Sequence, residues 1–596
     1  MARRDTPWAR AAVGILAVAI TGVVVFGVLS PPERCPEVTV EDLRESAGEA
    51  VRWFTHNQMP NGTWLYLYDA GSDEAASDYN VVRHAGASMG LYQAATAGIP
   101  GAREAADRGV EWALDRVVER EGWAALPSYG SASTGATALL LAGLVERRLD
   151  TGDDRYDEQM ARLGRFLLAQ TEPSGAVLAE YDLGAGRPVA GGYSKYYTGE
   201  AYWALTRMHR LFPDGPWGEA ADRIGAYLAT RRDKAEDHWP PVPDHWAAYG
   251  LAETVEFDDR DAERPLTDAE VAYARRQAGL FGAQVRWVGQ RFGPWGPVVR
   301  GPKTPRGGGY GVVGEALTGL WRASRVDPRL ADIRQPLAER AMCVAGLAIA
   351  QQSSAADASS ARAPDKVRGA WFHHGETRMD DQQHALAALL RTVAIVEAQG
   401  GTGAGRGGPA PSAWLWLAAL VTAFNPCWVA LGVPRAGRSR RDVMAITALG
   451  GAGGALAVLA ISLLSGPLLD LLDVTTPAFR IAAGVVAAVA GAVTLVRPAP
   501  LPDPALAGRR AALVPVAVPL VVRPALVFLA LSAHADRGVP VTAAALAASV
   551  AVLVAVVARV APEGTGGRAV MWVARATAAG LIAASVLLVL DGVYSV

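Results

Sequence analysis

The chain has 596 residues, is 51% hydrophobic and 19% charged, and carries a formal net charge of -2. That balance leaves no basic footprint and excludes a nucleic-acid-binding protein of the usual kind. The averages also conceal a division: before about residue 410 the polarity is that of a globular protein, and after it long apolar runs confine charge to short loops.

Residues 1–33 open with three arginines and continue into an uncharged run, Ala11–Ser30. The run is long enough to span a bilayer. Its exit, "VLSPPE", is unlike the small-residue site of a cleaved leader, so an uncleaved anchor behind a cytoplasmic basic tip is expected.

Residues 34–400 alternate apolar spacings of three and four with Gly/Pro/Asp-rich loops. The spacing predicts helical hairpins at 80–97 with 101–119, 132–148 with 154–170, 197–211 with 216–231, 245–257 with 267–289, and 312–325 with 333–352. Helices 40–58 and 379–398 remain at the two ends, and if they pair, six hairpins close into a ring. A solenoid is the rival, but it needs capped ends. Turns within hairpins are short and connections between them long, and long structured loops carry function. In a ring those connections gather on one face. The pattern resembles the (α/α)6 toroid of the six-hairpin glycosidase, epimerase and polysaccharide-lyase superfamily, which implies an all-α fold and a glycan substrate.

Polar motifs from five hairpins fall on that face. They are Asp78, Tyr79, Arg83 and His84 in "DYNVVRHAG"; Glu200, after Lys195 and Tyr196, in "YYTGEAY"; Asp244, His245 and Trp246 in "PDHW"; Glu315 in "GVVGEAL"; and Asp380, Asp381 and His384 in "RMDDQQH". Each carboxylate near a helix start has a simpler reading as a cap. Their convergence favours general acid–base chemistry by carboxylates or a carboxylate and histidine at a glycosidic bond. Asp380 and Asp381 lie four and three residues before His384, so a carboxylate orienting its imidazole is expected. Tyr79, Tyr196, Trp246 and Trp371 are candidates for stacking on sugar rings. Arg83, Lys195 and the converging helix N-termini favour an anionic envelope glycan. No cofactor is expected; a divalent metal on His84, His245, His384 and one aspartate is the second reading. "GGG" at Gly307–Gly309 lacks a following Lys-Ser/Thr and reads as a flexible turn.

A Gly/Pro-rich linker occupies 401–411. Residues 412–596 read as six further spans, Ser412–Pro434, Val443–Leu468, Thr476–Val496, Ala512–His534, Val539–Val560 and Ala569–Val593, making seven with the anchor. Loops 435–442, 497–510 and 559–568 carry the arginines, which places them in the cytoplasm and the 34–400 domain outside. In that oxidising setting Cys35 and Cys343 are expected to pair, with two free thiols the alternative. Asn425-Pro426 interrupts the first of the six spans, and Pro515, Pro519 and Pro524 interrupt the fourth. Interruptions at matching places in inverted three-helix halves point to a transport path. Arg480 and Arg523 are intramembrane charges and join Asn425, Pro426 and Pro519 as path candidates. Asn425-Pro426, "PAFRIAAG" at 477–484 and "VPVAVPL" at 514–520 resemble the MarC family of inner-membrane proteins, with Arg523 standing where that family has glycine. The resemblance implies six spans and a transport role. Together these features predict a membrane-anchored, glycan-processing enzyme fused to a MarC-like part; the alternative is a transporter whose toroid only binds glycan or acts as a scaffold.

Overall fold

The computed structural model describes the chain except residues 1–6, 258–265, 293–295, 297, 299–304, 400–409, 473, 498–505, 560–563 and 596. Most of the 401–411 linker and parts of two arginine loops thus lie outside the described residues. The chain divides into two compact units. One comprises Cys35–Gly289 and Lys303–Gly405; the other comprises Met1–Arg34, Gln290–Pro302 and Arg406–Ser595.

In the first unit six inner helices, Val81–Thr96, Thr134–Thr151, Tyr197–Leu211, His245–Phe257, Gly307–Val326 and Met379–Gln399, each pack on the next, and the sixth packs back on the first. Six outer helices, Val40–His56, Ala102–Leu114, Asp157–Gln170, Trp217–Thr230, Asp268–Gly289 and Arg334–Ile349, surround that closed ring. Helix Val40–His56 packs on Met379–Gln399, so the two ends of this stretch supply one pair. The sequence separates the two rings clearly. The first inner helix is buried without interruption from His84 to Ala94, and it is built of small residues that let neighbours approach on every side. The outer helix Ala102–Leu114 is amphipathic: Ala105, Ala106, Gly109, Val110 and Ala113 face in, while Arg103, Glu104, Arg108 and Glu111 face water.

Short strands in the long connections fasten one face of the ring. Leu67–Asp69, from the first connection, pairs antiparallel with Glu376–Arg378, from the last, with Tyr68 opposite Thr377. Cys35 and Cys343 form a disulfide that ties the segment before the first outer helix to the last outer helix. One element departs from expectation. The fifth inner helix begins at Gly307, not near 312, so the glycine run is its first turn and not a flexible loop. The reason is packing: a Cβ on Gly307 would lie 2.4 Å from Trp371 Cβ, and one on Gly311 would lie 2.1 Å from the His384 carbonyl carbon.

Among the described residues the second unit holds six helices long and apolar enough to cross a membrane: Pro7–Leu29, Ala413–Gly432, Arg440–Leu471, Thr476–Val496, Pro524–Arg559 and Gly566–Tyr594. The expected fourth and fifth spans fall on the longest of these helices and the segment before it. Leu513–Val521 carries the prolines and has non-helical dihedrals at Val514 and Val518. Helix then runs from Pro524 to Arg559, interrupted only at Gly538, whose φ of 70° breaks it into a short and a long part. The N-terminal helix belongs to this unit's packing. Gly14 lies against Pro519, and Phe26 stacks on Phe479 with ring centroids 5.3 Å apart.

Candidate active site

Three side chains from three consecutive inner helices meet at the mouth of the ring. Glu315, buried in the fifth inner helix, accepts a hydrogen bond from His384 Nδ1 at 2.6 Å. His245, the first residue of the fourth inner helix, places Nε2 3.8 Å from the same Glu315 oxygen. The two imidazoles stand edge to face, ring centroids 5.1 Å apart, with the buried Trp246 indole against both. Gln383 Nε2 approaches the other Glu315 oxygen at 3.5 Å.

The two histidines have opposite electrostatics. Burial, reinforced by the neighbouring His384, pushes His245 well below the ordinary imidazole pKa, so the ring is neutral. Among the described residues neither of its nitrogens has a hydrogen-bond partner, although the residue is buried. An orphaned buried polar group costs about 1–3 kcal/mol, which a ligand in the mouth would relieve. In His384 burial acts to lower the pKa, but the Glu315 carboxylate, with help from Asp380 and Asp381, outweighs it and raises the value.

A second buried acid lies on the third inner helix. Burial and the charge of Asp244 push Glu200 up to about 8, so it is a protonated carboxyl at neutral pH. Asp244 forms a fully buried ion pair with Arg232 at 2.5 Å and caps the fourth inner helix through the Ala247 amide. Glycines allow these contacts. A Cβ on Gly135 would lie 2.5 Å from Glu200 Oε2, and one on Gly199 would lie 2.4 Å from Asp244 Oδ1. Tyr196, on the connection before Glu200, is partly exposed with its ring centroid 6.1 Å from that of His245.

The aspartate pair does other work. Asp381 accepts from Arg306 Nε at 3.1 Å and from the Gly308 and Arg378 amides, so it ties the start of the fifth inner helix to the sixth. Asp380 pairs with Arg83 at 2.9 Å and with Arg378 at 3.1 Å. The group bonded to His384 is Glu315, from another helix, in place of the expected aspartate three or four residues away. Arg306 and Arg378 were absent from the sequence-derived set; the only sequence signal for Arg306 is its place just before the glycine run.

Other expected residues lie elsewhere. His84 is enclosed between the first hairpin's helices, with Nδ1 2.7 Å from the Tyr79 hydroxyl and Nε2 2.8 Å from the Gly109 carbonyl oxygen. Burial pushes its pKa down to about 4. It is a core histidine, and Tyr79 is its partner, so His84 drops out of any metal set. A metal-ligand grouping does remain in His245, Glu315 and His384, whose donor atoms lie within 4.8 Å of one another. Trp371 is buried in the core and donates its indole N–H to the Ala348 carbonyl oxygen. Asp78 and Lys195 are exposed on the connections.

In the second unit Asn425 adopts a left-handed conformation, φ 47°, between half-helices Ala413–Phe424 and Pro426–Gly432. Arg480 is saturated: it pairs with Asp536 at 2.9 Å, with Asp591, and with the Ser595 hydroxyl at 2.8 Å. This network clamps three helices together and takes Arg480 out of an open path. Among the described residues Arg523 has no carboxylate partner, and Pro519 belongs to the irregular segment before it.

No family model and no curated protein matches this chain. Solved structures do match it. They include a cellobiose 2-epimerase from Spirochaeta thermophila, at 15% identity and TM-score 0.40 over 65% of this chain and 98% of that one. A D-mannose isomerase matches at 12% identity and TM-score 0.41 over 60% and 97%. A GH76 alpha-mannanase from Bacteroides thetaiotaomicron matches at 9% identity and TM-score 0.39 over 60% and 96%. No comparison supports the MarC resemblance of residues 412–596.

Proposed function

We propose that the ring of hairpins is a carbohydrate-processing acid–base enzyme. It moves protons at neighbouring atoms of one sugar, as in isomerisation, epimerisation or elimination. The observation that carries this reading is the pair of adjacent imidazoles around one buried carboxylate, one hydrogen-bonded to it and pushed up in pKa, the other unbonded and pushed down. Neutral His245 is the base that takes a proton from a carbon beside a carbonyl. His384, held by Glu315 and made the more basic of the two, carries the proton that goes to the oxygen on which negative charge develops, and the reverse transfers complete the reaction. Glycoside hydrolysis is less well served, because it needs two carboxyl groups free to flank the bond. Asp380 and Asp381 are engaged by arginines and helix amides. The partly exposed Tyr196 ring beside His245 supplies a surface on which a sugar face can stack.

The test uses the full chain in neutral detergent with a panel of neutral and uronate sugars in D2O, followed by mass spectrometry. Deuterium entering an uncleaved sugar, or an unsaturated product, is expected, and both should vanish in His245→Ala and His384→Ala. Chain cleavage without exchange would replace this reading with hydrolysis. Folded protein that changes no sugar would leave the toroid a binding module. Activity abolished by a chelator and restored by a divalent ion would turn the same three residues into a metal site.

We further propose that the toroid faces the extracytoplasmic side. The arginine-bearing loops and the Cys35–Cys343 disulfide support that orientation. On intact cells, a membrane-impermeant thiol reagent applied after reduction should label Cys35 and Cys343. Labelling only after lysis would reverse the orientation.

A further inference from the structure

We propose that the membrane unit binds a small soluble oxyanion, a carboxylate or a phosphate, at Arg523, where its two interrupted helices meet. The first interruption is at Asn425. Its side chain accepts from the Trp428 amide and donates to the Ala574 carbonyl oxygen, fixing the break against the last helix. The second is the proline segment Leu513–Val521, after which helix resumes at Pro524. Arg523 sits between that segment and the resumed helix and reaches across to the first break. Its Nη2 donates to the carbonyl oxygens of Ala423 at 2.8 Å and Phe424 at 2.7 Å, the last residues of the half-helix Ala413–Phe424.

Depth follows from geometry. The half-helix has 12 residues. At about 1.5 Å per residue its end lies roughly 18 Å along the span, near the middle of a hydrocarbon core about 30 Å thick. A guanidinium there is costly unless a counter-charge or a polar cavity receives it. Arg480, in the same unit, meets that requirement with two aspartates. Among the described residues no carboxylate pairs with Arg523, and its bonds account only for Nη2. The side chain is partly exposed, so Nε and Nη1 keep donors for another acceptor. The carbonyls of Ala423 and Phe424 hold the guanidinium in place without neutralising it. An incoming oxyanion supplies the missing charge, and the amides at the start of the helix resumed at Pro524 favour the same sign. Backbone freed by two breaks is tolerable at this depth only where it meets protein or lines a cavity, and interrupted helices meeting at mid-depth are where transporters hold solute.

The experiment uses the full chain in neutral detergent, with equilibrium binding of labelled glucuronate, inorganic phosphate and glucose. Saturable binding of at least one oxyanion and none of glucose is expected. Arg523→Gln should weaken binding at least tenfold, and Arg523→Lys, which keeps the charge but not the fork, by less. In the wild type, modification of Arg523 by phenylglyoxal, located by peptide mapping, should be blocked by the bound anion. That measurement decides the matter even if the glutamine variant fails to fold. Absence of oxyanion binding in the wild type, unchanged binding in Arg523→Gln, or no protection of Arg523 would each overturn the proposal. A parallel arm in nanodiscs of phosphatidylcholine with or without phosphatidylglycerol separates the sources. Protection of Arg523 by the anionic lipid alone, with no soluble anion bound, would assign the site to a headgroup and overturn it as a solute site.

Discussion

His245 and His384 are the same side chain in contact with the same carboxylate, yet they sit on opposite sides of the ordinary imidazole pKa. If they act as base and acid, activity requires pH above the lowered value and below the raised one. A bell-shaped kcat/KM profile is therefore expected, with its acid limb below and its alkaline limb above the ordinary imidazole pKa. Glu315→Gln removes the main cause of the upward shift, so the alkaline limb should move to lower pH while the acid limb, set by burial of His245, stays. A profile unchanged in both limbs would show that Glu315 does not act through His384. Glu200 carries a different prediction. Its carboxyl is pushed up to about 8 in the folded state, so above its unfolded value near about 4.3 the folded protein holds a proton that the unfolded chain has lost. Stability attached to this group is present at acid pH and declines as pH rises towards 8, by several kcal/mol in all. Glu200→Gln should leave stability at pH 5 nearly unchanged and raise it at pH 8, seen as a flatter dependence of the denaturation midpoint on pH. At this scale the sequence identified His245, Glu315 and His384 as candidates. It did not show that His84 is a core residue, because "RHAG" at a helix start looks the same whether the ring faces a mouth or a neighbouring helix.

The fifth and sixth inner helices touch backbone to backbone, and this contact sets the site. Gly311 faces the His384 carbonyl carbon so closely that any Cβ would overlap it. Glu315 lies one turn farther along the same helix. Gly311→Ala must push the two helices apart, at a cost of about 1–3 kcal/mol for overpacking, and it should lengthen the Glu315–His384 hydrogen bond. The expected result is a lowered melting temperature together with a downward shift of the alkaline limb, as in Glu315→Gln. An alanine variant with wild-type stability and profile would mean that the helices relax without disturbing the site. The glycine run before Glu315 shows why this element was hard to read. Consecutive glycines usually mark a loop, and helix propensity argues against them. Here Asp381 binds the Gly308 amide and the absent side chains admit Trp371 and the sixth helix, so tertiary packing overrides propensity. The outer helices posed no such problem, since their apolar stripes are local and periodic.

A closed ring has a seam, and the seam joins residues more than 300 positions apart. Six hairpins were legible from the alternation of short turns and long connections. The strand pair at the seam was not, because Leu67–Asp69 and Glu376–Arg378 are too short to show periodicity. The two interruptions of the second unit were visible as prolines, and the break between the expected fourth and fifth spans falls at Gly538, inside the short loop "HADRGVP" that separates them in the sequence. Three connections hold the seam: the packing of Val40–His56 on Met379–Gln399, the strand pair, and the Cys35–Cys343 disulfide with a sequence separation of 308. The first two bring together remote parts of the chain and pay a large loop-closure entropy. The disulfide removes much of that cost by restricting the unfolded chain, which for long loops is worth about 2–5 kcal/mol. Its loss should therefore act first on the seam, because the hairpins from Val81 to Thr230 are each closed by a short local turn. In the Cys35→Ser, Cys343→Ser double variant, hydrogen exchange should accelerate in 40–56, 67–69 and 376–378 before it changes in the hairpins from Val81 to Thr230. A uniform loss of protection around the ring would show instead that the toroid opens as one cooperative body and that the disulfide stabilises no particular edge.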